Sequence, residues 1–199
     1  MKSRLYIFLL LFSHTALFGQ QKQLTVVPQP SDIQFTNEKF DVRQQTISLK
    51  MYCDNYTPLQ IAQEDLQQTF TRFCQSTLSQ NGPAEREIHI GLEQESDEFH
   101  KILQRENIEV NDSFGEEGYV LLVKADKIII AANHQRGLFY GVQTLKQMVR
   151  GTQGNSVLPG VKIKDIPAFK YRAISDDISR GPVPTMEYMK YQVRRLAEM

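Results

Sequence analysis

Cysteine and histidine are scarce in this sequence, and neither sign of charge dominates. Lys plus Arg and Asp plus Glu each number 23, so no net field draws the chain toward nucleic acid or an anionic membrane surface. The four histidines, at 14, 89, 100 and 134, share no metal-ligand spacing with each other or with the two cysteines, and no cofactor motif is present. Beyond residue 20 no apolar run is long enough to span a bilayer. There is no internal repeat or low-complexity tract. The acidic stretch 92–114 lacks an Asp-x-Asp-x-Asp-Gly pattern, so it reads as a solvated face rather than a cation loop. Cys53 and Cys74 are the only thiols. A disulfide and two unpaired, partly buried thiols both remain open.

The long apolar run that is present stands at the start. Lys2 and Arg4 precede Leu5–Phe12, and small or polar residues follow through Gly19. This is the pattern of a secretory signal peptide with a cut near Gly19, too short in its apolar core for an anchor helix. No cysteine follows that core, which argues against a lipid-anchored form. The mature chain is therefore expected to be exported, periplasmic or secreted, with no stable membrane anchor.

The hydrophobic fraction of 41% and the length of 199 residues suit one domain plus part of another. Leu24–Val27 reads as a short edge strand, and Ile33–Phe35 and Thr46–Tyr52 alternate as strands do. Pro58 opens a helix whose apolar stripe is Leu59, Ala62, Leu66, Phe70 and Phe73. Glu87–Gly91 is a further strand, with His89 on its polar phase and hence expected in solvent. A short helix is possible around Glu98–Arg105. Gly118–Val123 and Lys127–Ala132 flank a polar connection as a hairpin, apolar on both phases and so central in a sheet. Leu138, Val142, Leu145 and Val149 form one helical stripe. Gly137 and Gly141 strip side chains from one face, permitting close approach to a neighbour. Residues 151–160 read as a connector, and 160/161 as a domain boundary.

Phe169-Lys170-Tyr171-Arg172-Ala173-Ile174 is aromatic and β-branched enough for a short buried strand. Asp176, Asp177 and Arg180 follow it, then Gly181-Pro182-Val183-Pro184, which forbids regular structure. Thr185 can cap a helix over 186–199. A strand, a charged loop and a helix make one β/α unit, and in barrels of such units the chemistry sits at the carboxyl ends of the strands. An Asp176–Asp177 catalytic dyad is disfavoured, since neighbours on a strand point to opposite faces.

Two segments together carry a family resemblance. Gly137-Leu138-Phe139-Tyr140-Gly141-Val142-Gln143-Thr144-Leu145 is one; Asp165-Ile166-Pro167-Ala168-Phe169-Lys170-Tyr171-Arg172, with Asp177 and Ser179-Arg180 beyond it, is the other. In that order, behind a signal peptide, they resemble the start of an exported β-N-acetylhexosaminidase of glycoside hydrolase family 20. The resemblance implies an α/β fold: a small α+β sandwich, a mixed sheet with two helices in a zincin-like leader domain over 20–160, then the first β/α unit of a TIM barrel over 161–199. It implies removal of terminal N-acetylglucosamine or N-acetylgalactosamine from a glycan with retention, the substrate's acetamido oxygen acting as nucleophile. It also implies that Arg172 binds sugar hydroxyls and that Asp177 supports the strand, with Arg180 as its candidate partner. The family's catalytic Asp-Glu pair falls beyond residue 199, so no catalytic residue is expected in this chain, which should be silent alone and complete only with a C-terminal barrel. Ala173 in place of the family's usual Gly, the extra carboxylate of Asp176, and Gly181-Pro182 in place of a His-aromatic pair put the substrate more in question than the fold. A carbohydrate-binding or scaffolding module, or the leader of an α-glucuronidase or O-GlcNAc hydrolase, are the competing readings.

Overall fold

The computed structural model describes residues 24–199 apart from Gln44, Asn55, 81–83, 153–156, Ile178 and Arg180. The signal-peptide reading and Arg180 therefore lie outside the described residues.

A seven-stranded mixed sheet forms the centre. Its strands are β1 (Asp32–Asp41), β2 (Thr46–Tyr52), β3 (Thr77–Ser79), β4 (Glu87–Leu92), β5 (Tyr119–Val123), β6 (Lys127–Ala132) and β7 (Val157–Asp165), in spatial order β1-β7-β5-β6-β4-β2-β3. One half, β1-β7-β5-β6, is antiparallel, and the other, β6-β4-β2-β3, is parallel. Helices α1 (Thr57–Cys74) and α3 (Gln135–Gly151) cover one face, and α2 (Asp97–Arg105) covers part of the other. Helices on both faces replace the two-helix sandwich expected from the sequence.

The β5–β6 hairpin explains why two apolar layers are needed. Successive strand residues point to opposite faces. Ile128 and Ile130 join the α1/α3 core, while Ile129 and Ala131 join the smaller core under α2 with Phe99, Leu103 and Phe114. The same alternation corrects the reading of His89. Ile88 and Ile90 face α1 and α3, and His89 turns to the α2 side, where it is buried rather than solvated. Polarity on one phase does not mean water on that phase when a helix lies over it. His89 Nε2 lies 3.0 Å from Glu87 Oε2, and its Nδ1 lies 3.3 Å from the Tyr52 hydroxyl, which donates to Glu98 Oε1.

Helix α1 begins with Pro58 in its first turn and buries Leu59, Ala62, Leu66 and Phe70, as its periodicity predicts; Phe73 lies at the exposed rim. It ends at Gln75, left-handed with φ 56°, and the Ser76 N–H returns to the Phe70 carbonyl. In α3 the two glycines mark real proximity. A Cβ on Gly137 would strike the Gly118 carbonyl oxygen, and one on Gly141 would lie 2.5 Å from Ile130 Cγ2.

Three further expectations are corrected. Leu24–Val27 is not a strand; the Gln147 side chain of α3 brackets Val27 instead, accepting from its N–H and donating to its carbonyl, both at 2.9 Å. The connector read over 151–160 and the boundary at 160/161 are crossed by β7, whose residues 157–159 and 161–164 pair with β1 and whose 161–165 pair with β5. Pro159 and Gly160 fit within β7 because the β1 register shifts between Phe35 and Lys39, and that irregularity folds over Gly160, leaving no room for a Cβ. Finally, the described residues of 166–184 contain no strand. Phe169, Tyr171 and Ile174 are 72%, 84% and 67% exposed, because no described strand lies alongside to pair with them. The expected cap is present: the Thr185 hydroxyl accepts from the Tyr188 N–H, opening α4 (Met186–Leu196), which buries none of its residues.

Candidate functional site

The sheet ends at Asp165, and the chain there passes beneath the lead-in and α3. Between them lies a cavity of about 260 Å³, bordered by Val26, Pro28, Tyr119, Tyr140, Asp165 and Arg172 among others. Its floor is a hydrogen-bonded chain. Tyr119 is buried at the head of β5, and its hydroxyl meets Thr144 Oγ1 at 2.6 Å and Asp165 Oδ2 at 3.3 Å. Burial, with the Asp165 charge beside it, pushes the Tyr119 phenol far above its ordinary range, so it stays protonated as a donor. Asp165 Oδ1 accepts from the Ser31 N–H at 2.9 Å, tying the lead-in to the end of β7.

Arg172 lines this cavity. Its Nη2 donates to Glu117 Oε2 at 2.9 Å, its Nη1 donates to the Phe169 carbonyl at 2.8 Å, and its guanidinium lies 5.2 Å from the centre of the Tyr140 ring. Partial burial opposes the charge, but the hydrogen bond and charge of Glu117, with Tyr140, outweigh it and hold the guanidinium pKa above its usual value. A fixed cation beside a cavity floored by hydroxyl and carboxylate groups suits a neutral, hydroxyl-rich ligand.

Asp177 is not drawn into the cavity. It is fully exposed, and its Oδ1 accepts from both the N–H and hydroxyl of Ser179, which lowers its pKa. It turns back on its own loop, with no strand at 169–174 for it to brace. Asp176 likewise stays outside, 3.4 Å from Gln192 Nε2. Among the described residues no group of three or more His, Cys, Asp or Glu could hold a metal ion. Both cysteines are free thiols. A larger, more open groove of about 530 Å³ at the end of β2 is lined by Lys50, Tyr52, Cys53, Asp54, Tyr56 and Gln63 among others, and is not lined by Arg172 or Asp177.

Two groups of contacts went unread in the sequence. Glu117 and Tyr140 are one; their signal is only that Glu117 immediately precedes the buried hairpin and Tyr140 sits between Gly137 and Gly141. The other clasps α4 to α3. Lys146, 1% exposed, donates to Asp65, Gln143 and Glu198 at 3.0–3.4 Å, while Arg150 grips Glu198 through both Nη atoms at 2.7 and 2.9 Å. Here a signal existed: Lys146 follows Leu138 and Val142 at intervals of four, on the buried stripe.

Fold and site together define a mixed α/β sheet domain whose outgoing segment returns an arginine to the sheet. The model of glycosyl hydrolase family 20, domain 2, matches residues 23–166. The chain belongs to that family through this domain. A beta-hexosaminidase of Porphyromonas gingivalis is 26% identical over 166 residues, covering 80% of this chain and 19% of the relative. Among solved structures, CpGH84B superposes with a TM-score of 0.65 at 27% identity, covering 88% of this chain and 28% of the other. The Flavobacterium johnsoniae chitobiase superposes with a TM-score of 0.61 at 23% identity, covering 89% and 26%, a likeness of fold. The chain thus spans about a fifth of the Porphyromonas relative and about a quarter of the two structures.

Proposed function

We propose that this chain is the N-terminal part of an exported glycoside hydrolase that removes terminal N-acetylhexosamine residues from glycans with retention. In this reading the sheet domain precedes a (β/α)8 barrel whose first unit begins after Asp165. An Asp-Glu pair beyond residue 199 orients the substrate acetamide, whose oxygen is the nucleophile, and supplies the general acid. Arg172 contributes fixed donors to sugar hydroxyls. Residues 24–199 alone are catalytically silent.

The domain 2 match over residues 23–166 carries this reading, because it ends where the Arg172 segment starts. The test is expression of the full-length protein and a screen on aryl N-acetylglucosaminides, N-acetylgalactosaminides and glucuronides. Turnover of an N-acetylhexosaminide, absent from residues 24–199 alone, is the expected result. A second reading, the leader of a different glycosidase barrel, draws on the likeness to CpGH84B, whose TM-score exceeds that of the chitobiase. Turnover of N-acetylglucosaminides alone is shared with an O-GlcNAc hydrolase, so turnover of N-acetylgalactosaminides beside it favours the first reading. Glucuronide turnover without N-acetylhexosaminide turnover rejects it for a different glycosidase. Glycan binding with no turnover of any substrate by the full-length protein would reject both in favour of a binding module.

A further inference from the structure

We infer that Glu117 is a positioning residue: the sheet domain, through Glu117 and the Tyr140 ring, sets the direction in which Arg172 presents its donors to a sugar. The inference rests on the reading of Arg172 given above and adds a role for the domain that precedes the barrel. Arg172 stands on a stretch with no regular structure and with exposed neighbours. Its side chain is directed by the Phe169 carbonyl within its own segment and, from the sheet domain, by Glu117 and the Tyr140 ring.

Glu117 is well mounted for this. The next residue, Gly118, donates its N–H to the Phe114 carbonyl at 2.9 Å, and a Cβ there would collide with the same carbonyl oxygen. Tyr119 then enters the buried strand β5. The Glu117 side chain is 22% exposed and that of Arg172 33%, so the pair is shielded on most sides. Tyr140 comes from α3, a separate element that Gly137 and Gly141 seat tightly on the sheet. Glu117 and the Phe169 carbonyl take two of the five guanidinium N–H groups, leaving others for hydroxyl acceptors. A guanidinium fixed before binding loses less side-chain freedom when the sugar arrives.

The neighbouring Glu116 provides contrast. It pairs with Arg136 at 2.7 Å, but both side chains are more than half exposed, the condition of a solvated surface bridge.

The test is steady-state kinetics of the full-length protein on an aryl N-acetyl-β-glucosaminide, comparing Arg172→Gln, Glu117→Gln, their combination and Glu116→Gln. Loss of positioned hydroxyl contacts weakens ground-state binding, so Glu117→Gln should raise KM about tenfold with kcat within about twofold. Its melting temperature should match wild type, the double variant should be no worse than Arg172→Gln, and Glu116→Gln should behave as wild type. If Arg172→Gln impairs the enzyme but Glu117→Gln does not, positioning by Glu117 is overturned while the role of Arg172 stands. Losses that add in the double variant, follow a lowered melting temperature or recur in Glu116→Gln would make Glu117 a structural brace and also overturn it. If Arg172→Gln itself is indistinguishable from wild type, the sugar-binding reading of Arg172 fails, and this inference with it.

Discussion

Gly137 packs its Cα against the carbonyl of Gly118, and the obstructing atom is backbone, which cannot rotate away. Gly137→Ala is therefore expected to destabilise the domain by about 1–3 kcal/mol despite the better helix propensity of alanine. A lowered urea midpoint with unchanged slope checks this. Lys146 poses the opposite problem, a buried cation whose three acceptors come from two helices and the chain end. Lys146→Met keeps the length and removes the charge. Glu198 retains Arg150 and Arg195 after that change, so the loss should stay near about 1–3 kcal/mol rather than the larger cost of a stranded ion. Equilibrium unfolding of the variant measures it.

The element where pH should act is the α2 face of the sheet. Burial is the main force lowering the His89 pKa, against the opposing pull of Glu87; Lys50 and Lys127 add to the lowering. Glu87 is also lowered, chiefly by its hydrogen bond to Lys50, with burial opposing. Tyr52, raised to about 12 by burial and by Glu98, remains a neutral donor in this range. A depressed histidine favours the folded state fully above its unfolded pKa near 6.5 and progressively less as pH falls from there toward its folded value. Glu87 adds a second loss at lower pH, from the ordinary glutamate range down to its own depressed value. Stability should thus decline below pH 6.5 in two windows, and His89→Gln should flatten the upper window and, because His89 also helps to lower Glu87, narrow the lower one. Urea unfolding at stepped pH distinguishes them. Hydrogen exchange addresses the other end of the chain. Amides of β5 and β6 should be the slowest, those of 166–184 should exchange freely, and α4 should lie between, accelerated by Glu198→Ala, which removes its clasp to Lys146 and Arg150. Exchange as slow throughout 170–199 as in the hairpin would contradict this.

Across the whole molecule, helices and hairpin were legible because their apolar spacing is local: the stripe of α1, the two-phase run of β5 and β6, the Thr185 cap. His89 was misread because its burial depends on α2, which strand alternation alone cannot place. Pro159 and Gly160 looked like a break because the irregularity in β1 that accommodates them lies more than a hundred residues away. The segment 169–174 has strand composition without a strand partner, and composition supplies no ladder. Around the cavity, Arg172 and Tyr140 each stand in a motif that the sequence displays and Glu117 does not, and the approach of both Glu117 and Tyr140 to Arg172 was not legible, since only the folded sheet brings them to it.

The most direct test of the proposed hexosaminidase activity is the anomer that the full-length protein releases. The full-length protein is incubated with an aryl N-acetyl-β-glucosaminide, and the first sugar product is followed by proton NMR before mutarotation. β-N-acetylglucosamine should appear first, as retention requires. Release of the α-anomer first, or no cleavage at all, would contradict it.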